Sequence, residues 1–335
     1  MPAPTGPTPA PTIQPAEALI ATTPGTILPS ACPPIPSPTA SFYTEYKIEH
    51  FTIYYTADVS FTQVLSASHY LEAAWRDIPA FLGYEPPDSP IRVYIGLPIK
   101  SGGTGSPTGV ITLRKEAIDR DYAGIPHEFT HVLTRCYGPQ WMEEGLAMYM
   151  QERFPAGEYR ADVQISADSW SIGLLRANKW VDLWKFPIGQ PDRTSPAITF
   201  ELMRAYYESG SFVKYLIETY GVAAFRKMHD DVNGWFAAEK AYGKSIDALI
   251  EEWRHHLDNS TIPAKDCPKC IAHYFEWTDV DIWFDQHKNN LSGGIHEQVL
   301  QELKAVNEAF IRKDAQAMQQ HVKAARQLLE ANINK

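Results

Sequence analysis

Several things are scarce in this 335-residue chain, and each absence excludes something. Basic residues are too few: 30 Lys and Arg stand against 40 Asp and Glu, a net charge of −10. A nucleic-acid partner normally meets a basic stripe, so none is expected. No apolar run reaches the roughly 18 residues that a membrane helix needs, so no transmembrane segment is expected. Cysteine is limited to four positions, Cys32, Cys136, Cys267 and Cys270. Only one Cys-x-x-Cys pair exists, half of what a four-cysteine zinc site requires.

The first 40 residues lack aromatics entirely and carry one charge, Glu17, while holding 12 of the 26 prolines. Such a segment cannot bury enough apolar surface to offset its ordering entropy, so residues 1–40 are expected to be a disordered Pro/Thr-rich leader. No positively charged region precedes Lys47, so no signal peptide is read there and Met1 reads as the start of a trimmed chain. Pro/Thr-rich leaders are common in extracellular stalks, and an extracellular or cell-surface location is expected on that ground. Every aromatic residue and every Lys and Arg lies beyond residue 40. The remainder is long enough for a substantial core.

From Glu45 the pattern changes. His50–Thr56, Pro90–Gly96 and Gly109–Leu113 are rich in β-branched and aromatic residues and read as strands. Between the first two, Val64, Ala67, Leu71, Ala74, Trp75, Ile78 and Leu82 recur at helical spacing, closed by Gly83. Residues 101–108 read as a Gly/Ser/Thr loop. Helices then take over, at about 123–137, 141–153, 200–220, 221–230 and 245–256, with 155–196 read as irregular. After Cys267-Pro268-Lys269-Cys270 and an aromatic stretch to Phe284, two apolar stripes predict a helical hairpin: Val299, Leu303, Val306, Phe310, then Met318, Val322, Ala325, Leu329. Asp314 is the expected N-cap of its second arm. The expected architecture is α+β, with a small N-terminal sheet packed on the helix at 123–137 and a mostly helical C-terminal lobe ending in the hairpin. The expected organisation is a leader at 1–40, a domain at 41–258 and a C-terminal extension at 264–335.

The chemistry concentrates at His127-Glu128-Phe129-Thr130-His131. Residues i and i+4 of a helix share a face, so two imidazoles placed this way can reach one metal ion. The Glu after the first His stands beside the metal's open position, where it can take a proton from water. A catalytic zinc site wants a third protein ligand. After the chain reversal at Tyr137-Gly138-Pro139, the next helix offers Glu143 and Glu144 in its first turn, and periodicity does not choose between them.

His127–His131 followed by Trp141-Met142-Glu143-Glu144-Gly145-Leu146-Ala147 resembles the gluzincin metallopeptidases, specifically the peptidase MA-like proteins, and more distantly the aminopeptidase N type. The resemblance covers roughly residues 45–257. It implies zinc held by His127, His131 and Glu144, the Glu directly before Gly. It implies Glu128 as general base and a peptide or protein as substrate. Tyr206-Tyr207-Glu208-Ser209-Gly210 resembles the Tyr-Glu-x-Gly stretch of the aminopeptidase-like branch, which places Tyr207 as hydroxyl donor to the oxyanion, with Tyr206 as the alternative and packing as the role of both otherwise. The resemblance also suggests that the strand at 110–113 is the edge that pairs with substrate backbone.

Two other function classes fit the same residues: a gluzincin-fold binding module without catalysis, and a surface interaction protein with a structural metal. The intact Glu128 speaks against the first, and the lack of an evident fourth ligand against the second. Cys267 and Cys270 suit a local disulfide, free thiols, or part of a metal site with His273. His50, His69, His229, His296 and His321 have no partner at metal spacing, and Cys136 reads as a small core residue.

Overall fold

The computed structural model describes residues 43–88, 90–96, 103–106, 109–118, 124–135, 139–154, 165–181, 183, 196–231 and 237–333. These belong to one compact unit, Ala31–Lys335; the other unit, Met1–Ser30, and the expected leader as a whole lie outside the described residues, as do Cys32 and Cys136.

The chain is α+β. Five strands form one sheet: β1 (Thr44–Lys47), β2 (Phe51–Tyr55), β3 (Ile91–Ile95), β4 (Gly103–Ser106) and β5 (Val110–Leu113), in the order β1-β2-β3-β5-β4. The central pairs β2–β3 and β3–β5 are parallel, and both outer pairs are antiparallel. The three strands with β-branched and aromatic runs are the three inner ones, as burial on both faces demands. Helix α1 (Phe61–Leu82) is the crossover between β2 and β3. Ser60 and Gln63 form a capping box at its start, and Gly83 closes it at φ 69°.

Two expectations about the sheet are corrected. Residues 103–106, expected as loop, are strand β4. The expected substrate edge, β5, is interior, because β4 pairs along it from Gly103 opposite Leu113 to Ser106 opposite Val110. A Gly-Thr-Gly-Ser strand carries almost no β propensity, and its place comes from β5 beside it.

Past the short α2 (Lys115–Ile118), the helical lobe begins with α3 (Gly124–Thr134) and α4 (Gln140–Arg153). It continues through α5 (Ala167–Arg176), α6 (Pro196–Tyr220), α7 (Val222–His229), α8 (Ala238–Tyr242) and α9 (Ile246–Asp258). α5 falls within the stretch expected to be irregular. It is held by its Ser166 N-cap and by burial of Trp170, Ile172 and Leu174 rather than by propensity.

The C-terminal segment is α10 (Pro268–His287), α11 (Gly293–Ile311) and α12 (Ala315–Ile333). α11 and α12 bury Val299, Leu303, Val306, Met318, Val322, Ala325 and Leu329 in one cluster with Val280 and Phe284 of α10. Asp314 Oδ1 accepts from the Ala317 N–H at 3.0 Å, the predicted cap. Through Ile271 and Phe275, α10 also packs on Trp170 and Leu174 of α5. Cys267 and Cys270 form a disulfide at its N-terminus, the first of the three pairings the sequence left open.

Candidate metal centre

The rotation of α3 is fixed by its apolar face. Phe129 lies about 200° round the helix from His127. It is fully buried, with its ring 6.3 Å from Phe51 of β2 and 6.2 Å from Trp75 of α1. Ile125 and Val132 join the same core. The two imidazoles are therefore left on the face that meets α4.

There they meet Glu144. Its Oε2 lies 3.2 Å from His127 Nε2 and 3.3 Å from His131 Nε2, and the two Nε2 atoms are 3.2 Å apart. Donors at tetrahedral corners about 2.0–2.1 Å from a zinc ion stand about 3.3–3.4 Å from one another. The three atoms thus already have the separation of three such corners. Two imidazoles and one carboxylate are also the donor chemistry that a first-row divalent cation takes. Among the described residues this is the one group of His, Cys, Asp and Glu whose ligand atoms converge in this way.

Burial disfavours charge on Glu144, but the two histidines outweigh it and hold the carboxyl well below the usual range. Burial likewise opposes charge on His131, yet Glu144, with Glu128 and Glu143 further off, pushes its pKa up to about 9. Metal binding to a carboxylate and imidazoles displaces whatever protons they carry, so these three groups are ones a metal cation can take over. One departure stands out. Nδ1 of His127 is buried and meets no hydrogen-bond partner among the described residues, where a ligating imidazole usually has an orienting acceptor.

Glu143 points elsewhere. Its carboxylate accepts from Thr134 Oγ1 at 2.7 Å and lies 3.0 Å from His229 Nε2. Adjacent residues of a helix project about 100° apart, so only one of the two glutamates can face α3's histidines. Glu128, mostly buried on α3, is close enough to His131 for its charge to be felt there.

The same geometry separates the two tyrosines on α6. The Tyr206 ring is 6.4 Å from the His127 ring. Tyr207 turns the other way and stacks on Trp170 at 4.7 Å, within the seam between α5 and α10. Of the two rings, that of Tyr206 lies beside His127, and that of Tyr207, the expected hydroxyl donor, lies on Trp170.

Two glycines let α6 come this near. A methyl on Gly145 would lie 2.6 Å from the Ser209 carbonyl oxygen, and one on Gly210 would lie 2.9 Å from Met148 Cβ. Gly145→Ala is expected to destabilise the fold by roughly 1–3 kcal/mol, the usual cost of overpacking. The readout is a lower urea midpoint at unchanged slope. An unchanged midpoint would mean that α4 and α6 are not seated this closely.

Compared with known proteins, the chain matches no family model and no curated protein.

Proposed function

We propose that the chain is a zinc metallopeptidase of gluzincin type that hydrolyses peptide bonds. The observation that carries this reading is the meeting of His127 Nε2, His131 Nε2 and Glu144 Oε2 at 3.2–3.3 Å, on a helix that also holds Glu128. Three protein ligands is the count of a catalytic rather than a closed structural zinc site. A zinc ion held there supplies a Lewis acid and lowers the pKa of water towards 7. Glu128 accepts the proton of the attacking water and hands it to the leaving amine. Tyr206 is the better placed of the two tyrosines to donate to the developing oxyanion. Among the described residues the outermost strand on that side is β4, which we take as the edge offered to substrate backbone, since β5 is paired on both sides. An oxidising, extracellular setting belongs to the same proposal and fits the Cys267–Cys270 disulfide.

The test is metal content after gel filtration, combined with cleavage of a mixed peptide library with and without a chelator. About one zinc per chain and chelator-sensitive cleavage are expected. A zinc-loaded chain that cleaves nothing would overturn the peptidase reading and leave a metal-binding module.

Tyr206→Phe is expected to lower kcat by roughly 10²-fold with little change in KM, the effect of losing one oxyanion donor. Tyr207→Phe, which keeps the ring on Trp170, should turn over at nearly the parent rate. The opposite order would return the role to Tyr207.

A further inference from the structure

A second charged cluster lies directly behind the metal donors, and the proposed chemistry does not use it. Glu143 is fully buried, and so, to within 1%, is His229 at the end of α7. Thr134 of α3 donates a hydrogen bond to one oxygen of the Glu143 carboxylate at 2.7 Å, and His229 Nε2 lies 3.0 Å from the other at ion-pair distance. On the other side of the imidazole, Nδ1 meets Asp230 Oδ1 at 3.0 Å and the Tyr84 hydroxyl at 3.1 Å. Tyr84 also donates to Asp230. Arg226 closes the cluster, 3.3 Å from Asp230 and 4.0 Å above the Tyr84 ring.

A buried carboxylate needs a counter-charge. Burial alone would drive His229 towards the neutral form, but Glu143 and then Asp230 outweigh it and push its pKa up to about 9. The 3.0 Å approach of His229 Nε2 to the Glu143 carboxylate is the geometry of an ion pair. Such a pair is weak evidence for stability, because well-packed apolar side chains serve that end as well or better. What it provides is direction. Glu143 closes the first turn of α4, a turn whose N-cap residue, Pro139, makes no side-chain cap, and Glu144 follows it directly. Holding both oxygens of Glu143 fixes the rotation of that turn. Glu144 then projects about 100° away, onto the two imidazoles. Thr134 rides on the same short helix as His131, so the anchor and the ligands it serves move as one piece.

We propose that the Glu143–His229 ion pair, backed by Asp230 and Tyr84, is the positioning device that aims Glu144 at His127 and His131, so that the metal site is set in part from α7, an element that contributes no ligand. This rests on the metal-binding half of the proposed function and not on the peptidase half.

The experiment is a zinc titration of the full chain against a chromophoric chelator, with the visible spectrum of the cobalt-loaded protein as a reporter of coordination. Glu143→Gln and His229→Gln are each expected to weaken zinc binding by roughly 10–100-fold, the usual loss when an orienting partner of a ligand goes. Each should also shift the cobalt bands. The double variant should be no weaker than the worse single, because both changes break one link. Variants that melt earlier but keep parent zinc affinity and the parent cobalt spectrum would overturn the proposal and leave the pair a packing feature. If either variant fails to fold, Asp230→Asn removes the charge behind His229 Nδ1 and so loosens the pair while leaving Glu143 itself intact. It should weaken zinc several-fold, and parent affinity there would overturn the proposal equally. A parent chain that binds no zinc sinks the metal reading itself, whereas a zinc-binding parent with indifferent variants sinks only the positioning role.

Discussion

Glu128→Gln is expected to keep its zinc and to lose turnover by about 10²–10⁴-fold or more. Glu128 is not among the three converging donor atoms, so its replacement leaves His127, His131 and Glu144 in place. Gln has nearly the same volume, and the site is mostly buried at this position, so the packing of α3 should be conserved. What changes is basicity: a carboxamide cannot accept the proton of the attacking water or return it to the leaving amine. With one carboxylate proposed to serve both steps, the loss should lie at or above the upper end of that range. The effect should fall on kcat, with KM close to the parent value, as for an interaction made only in the transition state. Metal content and single-turnover cleavage measured on the same preparation decide it. A Gln variant that cleaves at the parent rate would show that the activity comes from somewhere else on the chain or from a contaminant. A variant that loses zinc along with activity would mean that Glu128 supports the metal directly.

The parts of this structure that were legible in the sequence are those where one side chain faces one environment. α1 shows a single apolar stripe from Val64 to Leu82 because one face meets the sheet and the other meets solvent. α11 and α12 are similar, each with one buried stripe. α10 hid for the opposite reason. Ile271 and Phe275 face the body while Val280 and Phe284 face the hairpin, so apolar residues ring the helix and no stripe forms. β4 hid because its pairing with β5, not its composition, makes it a strand. The His127–His131 spacing was legible because a local period places both rings. The choice between Glu143 and Glu144, and between Tyr206 and Tyr207, depends on the absolute rotation of α4 and α6. That rotation is set by distant contacts: Phe212 stacked on Trp141, Trp170 on Tyr207, and Ser209 against Gly145. His229 had no partner at metal spacing, and its actual partner, Glu143, is brought to it only by the fold.

Removing both imidazoles should have the largest effect on metal, and an effect on stability that runs in two parts. In the proposed reading zinc binds the folded parent and not the unfolded chain, so at about 1,000 times Kd it should add roughly 4 kcal/mol. For a unit of about 300 residues, with roughly 2.1 cal/mol/K of unfolding entropy per residue, that is on the order of 6–7 °C in melting temperature. The His127→Ala/His131→Ala variant should show no zinc-dependent shift at all. A shift as large as the parent's would place the metal at another site. The second part concerns the chain without metal. Glu144 is only 12% exposed at its side chain, and the two histidines are its ion partners. Taking them away strands a buried carboxylate, a change that typically costs about 3–5 kcal/mol. The double variant should therefore melt below the metal-free parent, not merely below the zinc-loaded one. Adding Glu144→Gln removes the stranded charge, so the triple variant should recover part of that loss while still binding no zinc. The recovery is the decisive measurement: if the triple variant melts no higher than the double, then Glu144 was not held as an anion by those two rings.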